Sequence, residues 1–475
     1  MKCNFHGRDD LQRIHEASIS ILEKTGLVIH EEKTREMLTQ HGFRSDGKRI
    51  YFEGDKVLAL VEQAPSQIRF NALNPEHNLS FGRGNVHCTP GFGAAFVRDP
   101  DGTRRPGTVA DYIRFARLGQ VCPQIDLNGG VLVQTSEVPQ DQSAAIMQYL
   151  ALLFTDKCLI GHAPVGRETE QMMALLACAT GTETGGEMPT TMMGVINCNT
   201  PLQYDASQLE SMRVYLTSGQ SVSINCGAMA GNTGPVTMAG AMALGNAEVL
   251  AGVAISQLMR SGAPVFYGLP IAQASDLQSA GTAIGGPESS IGTRYGAALA
   301  AIYGLPTRGC AGPTDAQSAL SPQAAMEAML LLDSNFHSGT DIVVHAAGIM
   351  DSYLSMSVEK YIMDCEILSM LDRVHTPVRI DEESLALTAI DEVGPGGIFL
   401  THPHTFKNCR TEMFVPDLAM RGKEVDDFNA EYEGRVKAKL ERLEAAYQAP
   451  ENFRALKTEL DAVLATFGIP VPDMD

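Results

Sequence analysis

Seven short apolar segments, at residues 125–133, 157–160, 191–196, 221–224, 264–267, 307–310 and 341–344, are each followed by small or turn residues and then by helix-like sequence. Strands alternating with helices at a spacing of roughly 30 to 45 residues build successive βα units on a parallel sheet. Seven such units, with an eighth strand near the apolar stretch 92–97 or near Phe399, predict an α/β chain folded as a (β/α)8 barrel of the TIM type. A doubly wound open sheet is the alternative, but no GxGxxG opens a helix here. The repeat is architectural, and no sequence repeat accompanies it.

The flanks read differently. Residues 1–86 hold an amphipathic stretch at 9–25, a charged one at 31–40 and turn-rich sequence at 71–84, which predicts a helical cap followed by short strands. The barrel is expected over 87–380. Residues 381–475 are expected to close the barrel and to end in a charged helical tail from Glu424, read as a solvated face or a dimer contact, so a homo-oligomer is compatible with the sequence. Residues 92–97, between Pro90-Gly91 and Asp99-Pro100-Asp101-Gly102, read as a strand running into a turn. Thr108 with Asp111 three residues on has the form of a capping box for a helix through Leu118.

Composition excludes several classes of partner. Lys and Arg number 36 against 56 Asp and Glu, a net charge of −20, with no basic run. Nucleic acid and anionic membrane are therefore not expected to bind. The best candidate for a membrane span, 237–259, is interrupted by Asn246, Glu248 and Gln257 and reads as a buried barrel helix. The first 21 residues contain no apolar run, and the ten cysteines form no CxxC pair. A cytoplasmic protein with reduced thiols is expected. The closest approach to a metal motif is His402-Pro403-His404, which lacks the i, i+4 spacing of zinc-enzyme helices, so no metal is expected.

In a parallel barrel the reactive groups stand at the C-terminal ends of the strands. There the chain places Asn225-Cys226-Gly227, then Arg308 among glycines in Pro306-Thr307-Arg308-Gly309-Cys310, then His345 before Ala346-Ala347-Gly348. A guanidinium suits a carboxylate or phosphate, because its fixed fork of donors can engage two oxygens at once. An ion pair between Arg308 and Asp315 is the competing reading, as is a hydrogen-bonded core role for His345. No GxSxG or CxxC signals a protein nucleophile.

The runs GPVTMAGAMALGNAEVLAGVAISQLMRSGAPVFYG (234–268), YGLPTRGCAGPTDAQ (303–317), HAAGIMDSYLSMSVEKYIMDCEIL (345–368) and GGIFLTHPHTFKNCRTEMFVPDL (396–418) closely resemble the trimethylamine methyltransferase family, over nearly the whole chain. The resemblance implies a (β/α)8 barrel that moves a methyl group from an amine to the Co(I) of a corrinoid (cobalamin) carried by a separate protein, with no cofactor bound by this chain. Archaeal members carry pyrrolysine near the loop that here spans 312–321, whereas this chain has only standard residues there. That points to the non-pyrrolysine branch, whose substrates are quaternary amines such as glycine betaine, proline betaine and carnitine.

A tetraalkylammonium offers neither donor nor acceptor, so aromatic faces must hold it. Each contributes about 0.5–2 kcal/mol. With no Trp in the chain, Phe92, Phe96, Tyr267 and Tyr353 are the expected cage residues, with Arg308 and His345 on the carboxylate. His404 is expected on a rim facing the corrinoid. Two other functions remain to be distinguished: a betaine-binding paralogue without catalysis, and a barrel enzyme acting on an anionic small molecule through loops such as Gly285-Gly286 and 394–397.

Overall fold

A computed structural model describes residues 7–82, 84–182, 187–269, 273–276, 281–422 and 424–474 of the 475-residue chain. Eight parallel strands form its centre: β1 (His87–Pro90), β2 (Leu127–Asn128), β3 (Cys158–Ile160), β4 (Met192–Asn197), β5 (Ser221–Asn225), β6 (Val265–Gly268), β7 (Thr307–Cys310) and β8 (Ile342–Ala347). They pair in chain order from β2 to β8, and β8 pairs in turn with β1. Between β1 and β2 the ring is joined at Cys88, whose carbonyl accepts the Asp126 N–H at 2.9 Å and whose N–H donates to the Asp126 carboxylate at 2.9 Å. The eighth strand thus lies just before the 92–97 stretch. Phe399 sits instead in an exposed turn outside the sheet.

Each strand is followed by a helix that runs back along the outside: α1 (Val109–Val121), α2 (Gln140–Phe154), α3 (Gly166–Thr180), α4 (Ala206–Thr217), α5 (Met238–Met259), α6 (Pro287–Tyr303), α7 (Pro322–His337) and α8 (Val358–His375). The start of α1 follows the sequence signal. Thr108 accepts the Asp111 N–H, and Asp111 reaches back to the Thr108 N–H at 3.0 Å, satisfying two backbone donors that would otherwise lack partners. Of the 92–97 stretch only Phe96 and Val97 enter a strand, Phe96–Arg98, which pairs antiparallel with Arg104–Pro106.

Strand residues alternate between two apolar layers. Leu127, Ile160, Met193, Val195, Phe266, Ile342 and Val344 point into the barrel. Leu159, Met192, Val222, Ile224, Val265 and Val343 face the helices. The lower end of the interior is filled by Phe70 and Phe81 from the antiparallel pair Ile68–Phe70 and Leu79–Phe81, with Phe81 edge-on to Phe266 at 5.1 Å between ring centres.

Helix α5 is apolar on all sides because it is covered on all sides. Barrel strands lie inside it and the N-terminal helix Arg8–Lys24 lies outside, where Ser18 donates to the Ala243 carbonyl at 2.9 Å and accepts from Asn246 at 2.9 Å. Among the described residues it is the only helix long and apolar enough to cross a membrane, and most of it is buried in the fold. At the other terminus, helices Phe428–Ala446 and Phe453–Thr466 wrap the barrel. They are fixed by a buried ion pair of Lys439 with Glu366 on α8 and by a Tyr149–Asp461 hydrogen bond from α2.

Candidate active site at the barrel mouth

Alternation along the strands decides which polar side chains reach the interior. On β5, Val222 and Ile224 face the helices, so Ser221, Ser223 and Asn225 face inward. On β7 Arg308 and Cys310 face inward by the same parity. His345 breaks the pattern. It shares the parity of Val343, which would send it outward, but its backbone is left-handed (φ 67°) and the β8–β1 register shifts between Val343 and Ala347. The ring comes to lie beside Phe92 (6.2 Å between ring centres) and Tyr353 (4.9 Å), and the Phe92 N–H donates to Nδ1 at 3.1 Å. That bond assigns Nδ1 as the acceptor, so in the neutral ring the proton is on Nε2. Burial and the neighbouring Arg308 charge hold the His345 pKa well below the ordinary imidazole range, so the ring is neutral at pH 7.

Two glycines make this arrangement fit. A Cβ on Gly130 would stand 2.7 Å from the Phe92 ring, and one on Gly312 would stand 2.4 Å from the His345 carbonyl oxygen at a backbone φ of +90°. Tyr353 arrives on a turn in which Asp351, Ser352 and Tyr353 are all left-handed. Such backbone costs of order 1–3 kcal/mol per residue and needs outside restraint. Asp351 supplies it by accepting from Arg98 at 2.9 Å and Arg104 at 3.3 Å, and the Thr314 carbonyl accepts the Ser352 N–H at 3.1 Å. Loop 312–321 therefore steadies the turn that carries Tyr353, whose hydroxyl lies 2.9 Å from Cys310 Sγ.

Arg308 is the centre of charge. It lies near Cys226, Cys310 and Tyr353, and among the described residues its side chain makes no ion pair or hydrogen bond, with its buried Nε lacking any partner. Burial draws its pKa downward, but a guanidinium remains protonated at neutral pH. The competing partner Asp315 is engaged elsewhere, accepting from the Gly285 N–H at 3.0 Å and from Ser352 at 2.6 Å. The Oδ1 of buried Asn225 is likewise without a partner, while its Nδ2 donates to Ser223 Oγ at 3.1 Å. The mouth thus offers an uncompensated cation, an unused amide acceptor and two aromatic rings.

Other expected residues fall outside this group. Tyr267 faces the helices, fully buried, with its hydroxyl donating to Asn246 Oδ1 at 2.6 Å and its ring 5.9 Å from Tyr303. The cage role expected of it is corrected, because the residue that looks into the barrel from β6 is Phe266. Phe96 has the Arg104 guanidinium over its ring at 4.7 Å, so that face is already occupied by a protein cation. His404 lies in the helix Pro403–Glu412, whose last residue accepts from Arg373 at the end of α8 at 3.1 Å, and its place on a corrinoid-facing rim stays an expectation. The His-Pro-His motif is a helix cap: His402 Nδ1 accepts the His404 N–H at 3.1 Å, and Nε2 pairs with Glu392 at 3.0 Å.

Asn225 stands just past the predicted strand 221–224, among the strand-end positions the sequence singles out, but receives no role there; what gives it one is the inward parity it shares with Ser221 and Ser223. Glu248 on α5 stands out in the sequence only as an interruption of an apolar run. It accepts from Thr200 at 2.8 Å and from the Leu202 N–H at 2.7 Å, and burial pushes its pKa up to about 7.

The profile of the family described as trimethylamine methyltransferase matches residues 1–466. The chain belongs to this family. Among its relatives, a glycine betaine methyltransferase of Desulfitobacterium hafniense (strain Y51) is 35% identical over 469 residues, 98% of this chain and 96% of that protein. A proline betaine:corrinoid methyltransferase of Eubacterium limosum is 24% identical over 96% of each chain. A trimethylamine methyltransferase of Desulfitobacterium hafniense (strain DSM 10664 / DCB-2) is 26% identical over 85% of this chain and 81% of its own length. The crystal structure of the Methanosarcina barkeri monomethylamine methyltransferase shares the fold, with a TM-score of 0.51 at 12% identity, covering 92% of this chain and 88% of that one.

Proposed function

We propose that this member of the family transfers a methyl group from a betaine, glycine betaine first among them, to a corrinoid carried by a separate protein. The observation that carries the reading is identity over nearly the full length to a glycine betaine methyltransferase. The mouth supports it with an unpaired Arg308 guanidinium near Tyr353 and His345, the latter with its ring beside Phe92.

A betaine has a cationic and an anionic end, and the residues separate them. Arg308 and the Nε2–H of His345 hold the carboxylate, while Phe92 and Tyr353 present ring faces to the N-methyl groups. Because His345 is neutral, it donates without adding a second positive charge near the ammonium. Arg308 pairs through its backbone with Gly268 and Ile342, inside the barrel, so the carboxylate sits deep and the N–CH₃ bonds point outward. The corrinoid on the carrier supplies the Co(I) nucleophile when it docks.

The nitrogen leaves as a neutral tertiary amine, so no acid is required of the protein. What the protein must do is hold one N–CH₃ bond in line with the open face. A cage of only two rings suits this role, since the positive charge fades along the reaction and tighter binding of the cation would favour the substrate over the transition state.

The test is methylation of reduced corrinoid carrier, followed as loss of Co(I) absorbance, with a panel of betaines and trimethylamine. Betaines should support turnover and trimethylamine should not. Equal rates with trimethylamine would refute the assignment.

A further inference from the structure

We infer that Asn225 is the amine subsite of the chamber, and that it holds the demethylated product, a protonated tertiary amino acid such as dimethylglycine, more tightly than the betaine from which it forms. The inference rests on the betaine reading above and adds a recognition step to it.

The amide is oriented by its own strands. Asn225 is 5% exposed, and its Nδ2 lies 3.0 Å from the Ile196 carbonyl oxygen and 3.1 Å from both the carbonyl oxygen and the Oγ of Ser223. Backbone carbonyls only accept, so a flipped amide would set oxygen against oxygen, and Oδ1 takes the opposite side. That side is the inner face of β6. A Cβ on Gly268 would stand 2.4 Å from Oδ1, and Gly268 points into the barrel because Tyr267 before it faces the helices. No group among the described residues donates to Oδ1. A buried acceptor without a donor is costly to a fold, and in a chamber it marks where a ligand's donor belongs.

Gly268 also sets the spacing. It pairs with Arg308, and Tyr267 pairs with Ile224, so Asn225, Gly268 and Arg308 follow one another across the mouth on β5, β6 and β7. With no side chain at the middle position, the amide and the arginine flank an open stretch of about two strand spacings, or about 9–10 Å. A two-carbon amino acid with a hydrogen bond of about 2.9 Å at each end fills such a gap, carboxylate on Arg308 and nitrogen towards Oδ1. Across the ring, the Phe92 and Tyr353 rings meet the methyl groups.

Substrate and product differ in what they give that oxygen. The quaternary nitrogen of a betaine has no N–H, so its methyl groups offer Oδ1 only weak C–H contacts. When the N–CH₃ bond breaks, its electron pair stays on nitrogen as the methyl group goes to cobalt. Once water returns, that pair takes up a solvent proton, because aliphatic amines, like the lysine side chain, are protonated at neutral pH. The product then carries a charged N–H donor, and Asn225 Oδ1 accepts it.

Titration calorimetry of the full-length protein with glycine betaine and with dimethylglycine, at pH 7, on wild type and Asn225→Ser, tests the inference. Wild type should bind dimethylglycine at least as tightly as glycine betaine, although one methyl group is gone. The variant should lose about 10-fold or more in affinity for dimethylglycine, the effect of one charged hydrogen bond, and less than about threefold for glycine betaine. Both ligands share the carboxylate and the chamber, so their ratio cancels any general loosening that the substitution brings. Equal losses for the two ligands overturn the inference and leave the betaine reading standing, whereas failure of glycine betaine to bind wild type overturns both. If Asn225→Ser does not fold, wild type alone decides: glycine betaine binding about 10-fold or more tighter than dimethylglycine overturns the inference.

Discussion

Replacing Arg308 by Ala separates binding from folding, because this guanidinium contributes almost nothing to the fold that holds it. Its Nε is buried without a partner, and no carboxylate among the described residues pairs with it. Most arginines removed from a barrel would take an ion pair with them and destabilise the protein. Here the native state already holds a half-buried charge with no counter-charge, its Nε buried and unmatched, so the melting temperature should change little.

Binding is another matter. A substrate carboxylate is the counter-charge the site lacks, and a charged hydrogen bond of this kind contributes about 1.5–3 kcal/mol. At about 1.4 kcal/mol per tenfold, glycine betaine affinity should fall by roughly 10- to 150-fold. Choline, which keeps the trimethylammonium but has no carboxylate, should lose less than about threefold. Titration calorimetry of both ligands against wild type and variant, beside a thermal melt, reads all three quantities. Equal losses for betaine and choline, or a melting temperature lowered by many degrees, would show that Arg308 is structural and refute the argument.

Other substitutions probe the supports of the site. Asp351→Asn should cost about 3 kcal/mol by leaving the Arg98 charge uncompensated, and in chemical denaturation combined with steady-state assays should lower kcat more than it raises KM, because it frees the turn that positions Tyr353. Gly312→Ala forces a Cβ against the His345 carbonyl in a left-handed backbone and should cost about 2–3 kcal/mol, with activity falling in parallel at temperatures where the protein remains folded. Glu248→Gln should behave differently with pH. The folded-state pKa is raised to about 7, so the native form holds a proton more tightly than the unfolded chain and its stability falls as pH rises from about 4.5 through 7. The variant should match wild type in thermal melts at pH 5 and exceed it at pH 8; the same difference at both pH values would show that the carboxyl does not titrate there.

The barrel was legible because its strands are short, apolar and separated by helix-length stretches, and the capping box at Thr108 marked a helix start through local chemistry. The eighth strand was harder to place. His87–Pro90 has four residues, one of them proline, and it lies on the sheet because Asp126 and β8 hold it there, which local pattern does not record.

At the site, Arg308 and His345 could be read from their positions at strand ends. Tyr267 shows the limit of that reading: two adjacent aromatics close β6, and only the parity set by the whole strand decides that Phe266 looks inward. His345 shows the converse, since strict alternation would have put it on the helix side and a left-handed backbone at that residue reverses it. The His-Pro-His motif misled because capping a helix uses the same residue type as binding a ligand.

Phe70 and Phe81 fill the barrel from below, and this has a kinetic consequence. With the lower end closed, betaine, demethylated amine and carrier all pass through the same doorway, and they must do so in turn. Betaine has to enter before the carrier docks, and the amine can leave only after the carrier withdraws. A carrier that arrives early shuts an empty chamber. Turnover should therefore pass through a maximum as carrier concentration rises, with the maximum moving upward as betaine is added, because the two compete for the order of arrival rather than for a shared binding site.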